Sequence, residues 1–206
     1  MKKLLLITSL LATAFVGSGQ IKVAPEAGLN FSNYSVPTKS YSATSVFGVR
    51  LGLIADLALG GDKCYLQPGV LYVRNGTAVN APNYFISQGS ITYRVHTIEV
   101  PLNFLYKFGQ PGKNRLFAGA GVYLGMNVKS DAFYITNYDM GGGVNAGCEF
   151  KRGLFIRATA QSGVLKPKSL GITTTSSNLA MTLGYFFNYN RTSRRSGRSR
   201  GNLMPE

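Results

Sequence analysis

Ile21-Lys22-Val23-Ala24-Pro25-Glu26-Ala27-Gly28-Leu29-Asn30-Phe31-Ser32 places an apolar residue at every odd position and a polar or small one at every even position. A period of two held over a dozen residues marks a strand with one greasy face and one polar or closely packed face. The pattern recurs along the chain as far as Phe187. Phe47, Val49, Leu51, Leu53, Ala55 and Leu57 oppose Gly48, Arg50, Gly52 and Asp56; Leu66, Pro68, Val70 and Tyr72 oppose Gln67, Gly69 and Leu71. Ile98 to Phe108 sets its even residues against Thr97, Glu99, Asn103 and Lys107. Leu116 to Met126 alternates with Phe117, Gly119, Gly121, Tyr123, Gly125 and Asn127, and Val144 to Phe150 with Gly143, Asn145, Gly147 and Glu149. Leu154, Ile156, Ala158 and Ala160 oppose Arg157, Thr159 and Gln161, and Leu179 to Phe187 closes the series. Pro68 and Pro101 lack a ladder donor, so each predicts a bulge or irregular pairing.

The connections alternate in length. Short turns fall near 60–63, 109–114 and 151–153, and longer polar loops near 33–45, 74–94, 129–139 and 164–176. That rhythm predicts an all-β fold: an eight-stranded antiparallel up-and-down transmembrane β-barrel, with both termini and the short turns at one end. Tyr34, Tyr41, Tyr72, Tyr93, Phe133, Tyr134 and Tyr138 fall near one rim, and Tyr106, Phe108, Phe150, Tyr185 and Phe187 near the other, as two interfacial girdles would.

Lys2 and Lys3 precede an apolar run, Leu4 to Val16, and then Gly17-Ser18-Gly19. This is the layout of a secretory signal, and the run is shorter than the roughly 20 residues that cross a bilayer as a helix. The expected domains are a signal peptide at 1–19, a barrel at 20–187 and a basic, disordered tail at 188–206. Export plus a membrane barrel predicts a bacterial outer membrane, with both termini periplasmic. The formal charge of +14 includes +4 from the tail (five Arg and one Glu). In an exported chain such charge favours outer-membrane lipid, lipopolysaccharide or an acidic envelope protein over nucleic acid. The tail residues Arg191, Arg194, Arg195, Arg198 and Arg200 form a candidate partner-binding hook.

Cys64 and Cys148 fall at the turn ends of strands three and six, too far apart for a disulfide. Two cysteines and one histidine argue against a structural zinc site, and no cofactor is expected. The inward ionisable set, Glu26, Arg50, Asp56, Glu99, Glu149 and Arg157, is the chief candidate network. Buried charge is tolerated when paired, so it reads as a structural plug in a lumen only wide enough for side chains. His96 alone suggests catalysis, and a lone histidine with scattered hydroxyls falls short of a relay.

Several of these segments resemble the PorT-like outer-membrane β-barrel family of Bacteroidota. Ala27-Gly28-Leu29-Asn30-Phe31-Ser32 resembles its opening strand, Leu66-Gln67-Pro68-Gly69-Val70-Leu71-Tyr72 its third and Ile98-Glu99-Val100-Pro101-Leu102 its fourth. Gly119 to Gly125, Gly141 to Glu149 and Gly184-Tyr185-Phe186-Phe187 are similar to its fifth, sixth and closing strands. Gly69 departs from the family's usual inward Glu, and the basic tail runs past the usual terminal aromatic. The resemblance implies an envelope component, one branch of the family being linked to protein secretion and gliding. The functional expectation is a non-enzymatic structural or accessory barrel. A small-molecule binding or transport barrel is the alternative, and a lipid-modifying enzyme resting on His96 the third reading.

Overall fold

The computed structural model describes residues 21–35, 42–59, 61–80, 90–130, 138–165 and 174–187. They form eight strands: β1 (Lys22–Ser35), β2 (Ser42–Ala58), β3 (Cys64–Asn80), β4 (Ser90–Phe108), β5 (Arg115–Ser130), β6 (Tyr138–Glu149), β7 (Leu154–Leu165) and β8 (Thr174–Tyr185). Each pairs antiparallel with its sequence neighbours, and β1 closes on β8 from Glu26↔Gly184 to Ser35↔Thr175. Closure leaves no sheet edge, which a membrane requires of strands.

Odd residues of β1 face out and even residues face the lumen, where Lys22, Ala24, Glu26, Asn30 and Ser32 are buried. The outward face carries Leu53, Val70, Val100, Phe104, Leu116, Val122, Leu124, Met181 and Leu183, all exposed. A soluble protein would not display such a belt, whereas lipid covers it.

Glycines let lumen side chains lie flat against the wall. A Cβ on Gly184 would fall 2.2 Å from Phe155 Cζ, and one on Gly147 2.4 Å from Phe117 Cζ. Both rings are buried, and each fills the gap its glycine leaves. At Gly48 a Cβ would meet the Arg74 carbonyl oxygen at 1.8 Å. Side chains of β1 reach β3 past that point: Asn30 Nδ2 donates to Asn75 Oδ1 at 2.8 Å, and Ser32 Oγ accepts from the Gly76 amide at 2.8 Å.

Three expectations from the sequence change, the one on the prolines only in part. The strands are longer than the periodicity suggested, so Arg74–Asn80 and 90–94 are strand rather than loop. Polar residues on a protruding hairpin keep their ladder but lose the apolar alternation. Neither proline shifts the register, but pairing is interrupted beside both. On β3–β4 it passes from Pro68↔Leu102 to Leu71↔Glu99, leaving out Pro101, and on β2–β3 from Ile54↔Gly69 to Leu57↔Leu66, leaving out Pro68. On β4–β5, by contrast, Pro101↔Tyr123 lies in continuous pairing. Gly69, whose Cβ would lie 3.3 Å from Pro101 Cγ, leaves room for that ring. The register shifts lie instead between Ser45 and Arg50 and between His96 and Thr97. Tyr34 is buried in the lumen, not in a girdle, because β1 keeps its parity to that point. Tyr41, Phe133 and Tyr134 lie outside the described residues.

Gly184→Val should destabilise the folded barrel by about 1–3 kcal/mol through overpacking against Phe155. Denaturant titration followed by heat-modifiable gel mobility checks this, and adding Phe155→Leu should restore part of the loss.

The lumen charge network

Among the described residues, the ten buried ones with Asp, Glu, Lys or Arg side chains divide evenly between the signs. Lys22, Arg50, Lys107, Arg115 and Arg157 face Glu26, Asp56, Glu99, Asp139 and Glu149. Eight of them form two groups, each of two cations and two carboxylates.

At the turn end, Lys107 Nζ bridges Asp56 and Glu149, the latter at 2.5 Å. Arg115 donates to Glu149 Oε1 through Nη2 at 2.8 Å and Nε at 3.1 Å. Gln67 Nε2 donates to Asp56 Oδ1 at 2.6 Å. Asp56 and Glu149 are wholly out of solvent, at 0 % exposure. Aromatic faces complete the setting: Lys107 Nζ lies 4.5 Å from the Tyr65 ring centre and 4.9 Å from that of Phe186. A cation over an aromatic face gains from the ring quadrupole while remaining dry.

Farther along the lumen, Arg50 donates to both oxygens of Glu99, at 2.8 and 3.4 Å. Gln161 joins them, accepting from Arg50 Nη1 at 2.8 Å and donating to Glu99 Oε1 at 2.8 Å. Glu26 lies between Arg157, at 3.2 Å, and Arg50, at 3.9 Å. The Arg157 guanidinium is 5.3 Å from the Phe155 ring centre and 5.7 Å from that of Phe117. An uncharged chain fills further lumen volume: Thr159 Oγ1 donates to Asn145 Oδ1 at 2.8 Å, and Asn145 Nδ2 to Asn103 Oδ1 at 3.0 Å.

The structure thus brings Glu26, Arg50, Glu99 and Arg157 together in one group and Asp56 and Glu149 in the other, adds Lys107 and Arg115 to the second, and buries Lys22 and Asp139 in the same lumen. Lys22 and Lys107 already read as inward by parity but were not counted. Arg115 directly follows the 109–114 turn and shares the inward parity of Phe117. Asp139 was assigned to a loop, although it shares the parity of Gly141 and Asn145.

Asp139 stands apart. It lies at the loop end of the lumen, where its Oδ2 accepts from Ser176 Oγ at 3.3 Å and from Tyr123 OH at 3.4 Å. Its Oδ1 has no hydrogen-bond partner among the described residues. The cavity there is lined by Ser32, Tyr34, Asn75, Thr97, Tyr123 and Asp139 among others. Its space for the centre of a water-sized sphere is about 10 Å³, room for about one water.

His96 lies outside the lumen. It faces outward on β4, where its Nδ1 meets Tyr72 OH at 2.5 Å. The described strand carboxylates all face inward, so no Ser–His–Asp relay is assembled among the described residues. Cys64 and Cys148 are half-buried free thiols. The described residues contain no cluster of three or more His, Cys, Asp and Glu placed to hold a metal. Arg191, Arg194, Arg195, Arg198 and Arg200 lie outside the described residues, as do the proposed signal peptide and tail.

Residues 17–164 match the family described as "Outer membrane protein beta-barrel domain", and the chain belongs to that family. No curated protein matches the sequence. Among solved structures the chain is similar in fold to the outer membrane protein OprG from Pseudomonas aeruginosa, at 13% identity and a TM-score of 0.48. That match covers 83% of this chain and 98% of OprG. It is similar as well to Neisserial surface protein A, at 14% identity and a TM-score of 0.47, covering 80% of this chain and 97% of that one. A third likeness is to Ail, the attachment invasion locus protein of Yersinia pestis, crystallised with the heparin analogue sucrose octasulfate. There the identity is 11% and the TM-score 0.41, covering 81% of this chain and 99% of Ail.

Removing one partner of a buried ion pair leaves an uncompensated charge, at a cost of about 3–5 kcal/mol. Lys107→Met should therefore destabilise the barrel by roughly that amount in denaturant titration. Lys107→Met with Asp56→Asn should cost less than the sum of the single changes, because the two sites share one interaction.

Proposed function

As a member of the outer-membrane β-barrel family, this chain acts, we propose, as a sealed, non-enzymatic structural or accessory component of the envelope. It stands in the outer membrane with both termini and the short turns periplasmic and the long loops outside. The observation that carries this reading is the lumen. Two ion-pair groups, Asp56–Lys107–Glu149–Arg115 and Glu26–Arg50–Glu99–Arg157, cross an interior that is filled by side chains. A conducting pore needs a continuous water path, and an eight-stranded barrel has little room for one. The working surfaces are then the rims, the loops and the tail, through which the protein meets other envelope proteins, including secretion machinery.

A second reading, a small ligand-binding vestibule, is favoured by Asp139 alone. Its buried carboxylate and open Oδ1 suit a compact cation such as a primary ammonium group. In that case millimolar amine should raise the unfolding temperature of the native chain but not of Asp139→Asn.

The sealed-barrel reading is tested by conductance. Purified full-length protein in a planar bilayer should give no steady current at moderate voltage. A stable open level that Arg50→Ala alters would overturn it.

A further inference from the structure

We propose that the outward face of β3, β4 and β5 at the loop end binds the phosphate groups of lipopolysaccharide, through Arg74, Arg94 and Lys129 beside Tyr72 and His96. The proposal rests on the reading above that the loop end faces outside.

Charge sorting along the strands is the first observation. The five strand carboxylates among the described residues are all buried in the lumen, as are five of the strand cations. The other three described strand cations, Arg74, Arg94 and Lys129, share the opposite face. All three sit on consecutive strands, at the same end of the barrel.

Register brings them side by side. Arg74 pairs with His96, His96 pairs with Lys129, and Arg94 lies two residues from His96 opposite Gly76. Directly opposed side chains in an antiparallel pair lie about 4.5–5.5 Å apart at Cβ. Lys129 owes its position to the register shift beside His96: β5 pairs through Asn127, skips Val128 and resumes at Lys129. Val128 and Lys129 are consequently both exposed, on the same face. An extra residue in one strand re-aims the side chains beyond it, and this one turns Lys129 toward the row of cations.

No two of these cations are directly opposed, since His96 separates Arg74 from Lys129 and Arg94 is diagonal to Arg74. Like charges clustered on one face are nonetheless mutually unfavourable, and no carboxylate shares the described part of this face. An anion lying among them reverses the sign of the interaction. Arg74 Nε has no hydrogen-bond partner among the described residues, as is also true of Arg50 and Arg157 Nε in the lumen. Guanidinium and ammonium donors in such a cluster suit phosphate oxygens.

Height selects the occupant. From Cys64 to Arg74, β3 climbs about 25 Å, at about 3.3 Å per residue and a tilt of about 40°, which is the height of a barrel's apolar band. Along that climb the outward positions are Leu66, Pro68, Val70 and Tyr72, and Arg74 is the first residue past them. The cations therefore lie at the headgroup level of the outer leaflet, where the phosphorylated glycolipid presents its charge. At the same end the other strands offer uncharged Asn33, Ser45, Ser162, Thr175 and Ser177. The lipid is thus held on one side of the barrel.

The test uses the full chain in phosphatidylcholine nanodiscs, titrated with bisphosphorylated lipid A and read by native mass spectrometry. R74Q/R94Q/K129Q should bind on the order of 100-fold more weakly, at the scale of membrane attraction per basic residue. Dephosphorylated lipid A should bind the native chain as weakly. A control variant, K63Q/K113Q/K151Q/R152Q, removes the exposed turn-end cations and should bind as the native chain does. Should the triple variant fail to fold by heat-modifiable mobility, K129Q alone, at an exposed site, should still weaken binding several-fold. Equal binding by the loop-end variants, or loss of binding in the turn-end control, would overturn the site. Orientation is read separately, by an impermeant maleimide on intact cells carrying T92C with C64A/C148A. Labelling supports the loop end as outside. Its absence overturns the orientation while the nanodisc titration still judges the site.

Discussion

Closing eight strands into a barrel forces the inward face of every strand into one narrow space, and the rest of the molecule follows from what that space admits. Among the described residues ten charged side chains enter it, five of each sign. Without bulk water a buried charge needs a partner within the wall. The paired geometry of Lys107 with Asp56 and Glu149, and of Arg50 with Glu99, supplies it, while Asp139 rests on the Ser176 and Tyr123 hydroxyls. A single unpaired member would carry a desolvation penalty of several kcal/mol. The glycines are the steric counterpart. They thin the wall where Phe117, Phe155 and the long cations must lie, so that charge and aromatic area fill the same volume.

The outer surface obeys the opposite rule. Lipid tolerates neither charge nor an open edge, so the strands present an apolar belt between their ends and place cations only beyond it. The carboxylates of the described strands have gone inside, where all but Asp139 meet lumen cations. The outward remainder is basic and sits where β3, β4 and β5 leave the belt. Lumen pairing and the outward cation row are two results of one partition of charge across the wall.

Most of the fold was legible because a period of two survives wherever one face meets lipid. That is why Ile21 to Ser32 suffices to set the parity of β1, and why the lumen set from Glu26 to Arg157 could be named from alternation. The misses have physical causes. Beyond the membrane the outward face need not be apolar, so Arg74 to Asn80 looked like loop although the ladder continues. Asp139 escapes the alternation for the same reason, and Arg115 because it precedes the first apolar residue of its strand. The shift beside His96 leaves no mark in composition, so the outward turn of Lys129 could not be foreseen. Pro68 and Pro101 interrupt the ladder as expected but shift no register, since Gly69 beside Pro101 leaves room for the ring. Which carboxylate meets which cation depends on stagger around the barrel, which a single strand does not encode.

The central claim is that this lumen is dry and closed by its own paired charges. The most direct measurement is the reaction rate of a small charged thiol reagent with Thr159→Cys, set in a C64A/C148A background so that this is the reactive thiol. Thr159 is nearly the size of cysteine and is buried beside Asn145 in mid-lumen. The account requires modification to be far slower than at an exposed cysteine on the same barrel, from either side of the membrane. Rapid modification of the folded protein would mean a water-filled path, and would contradict it.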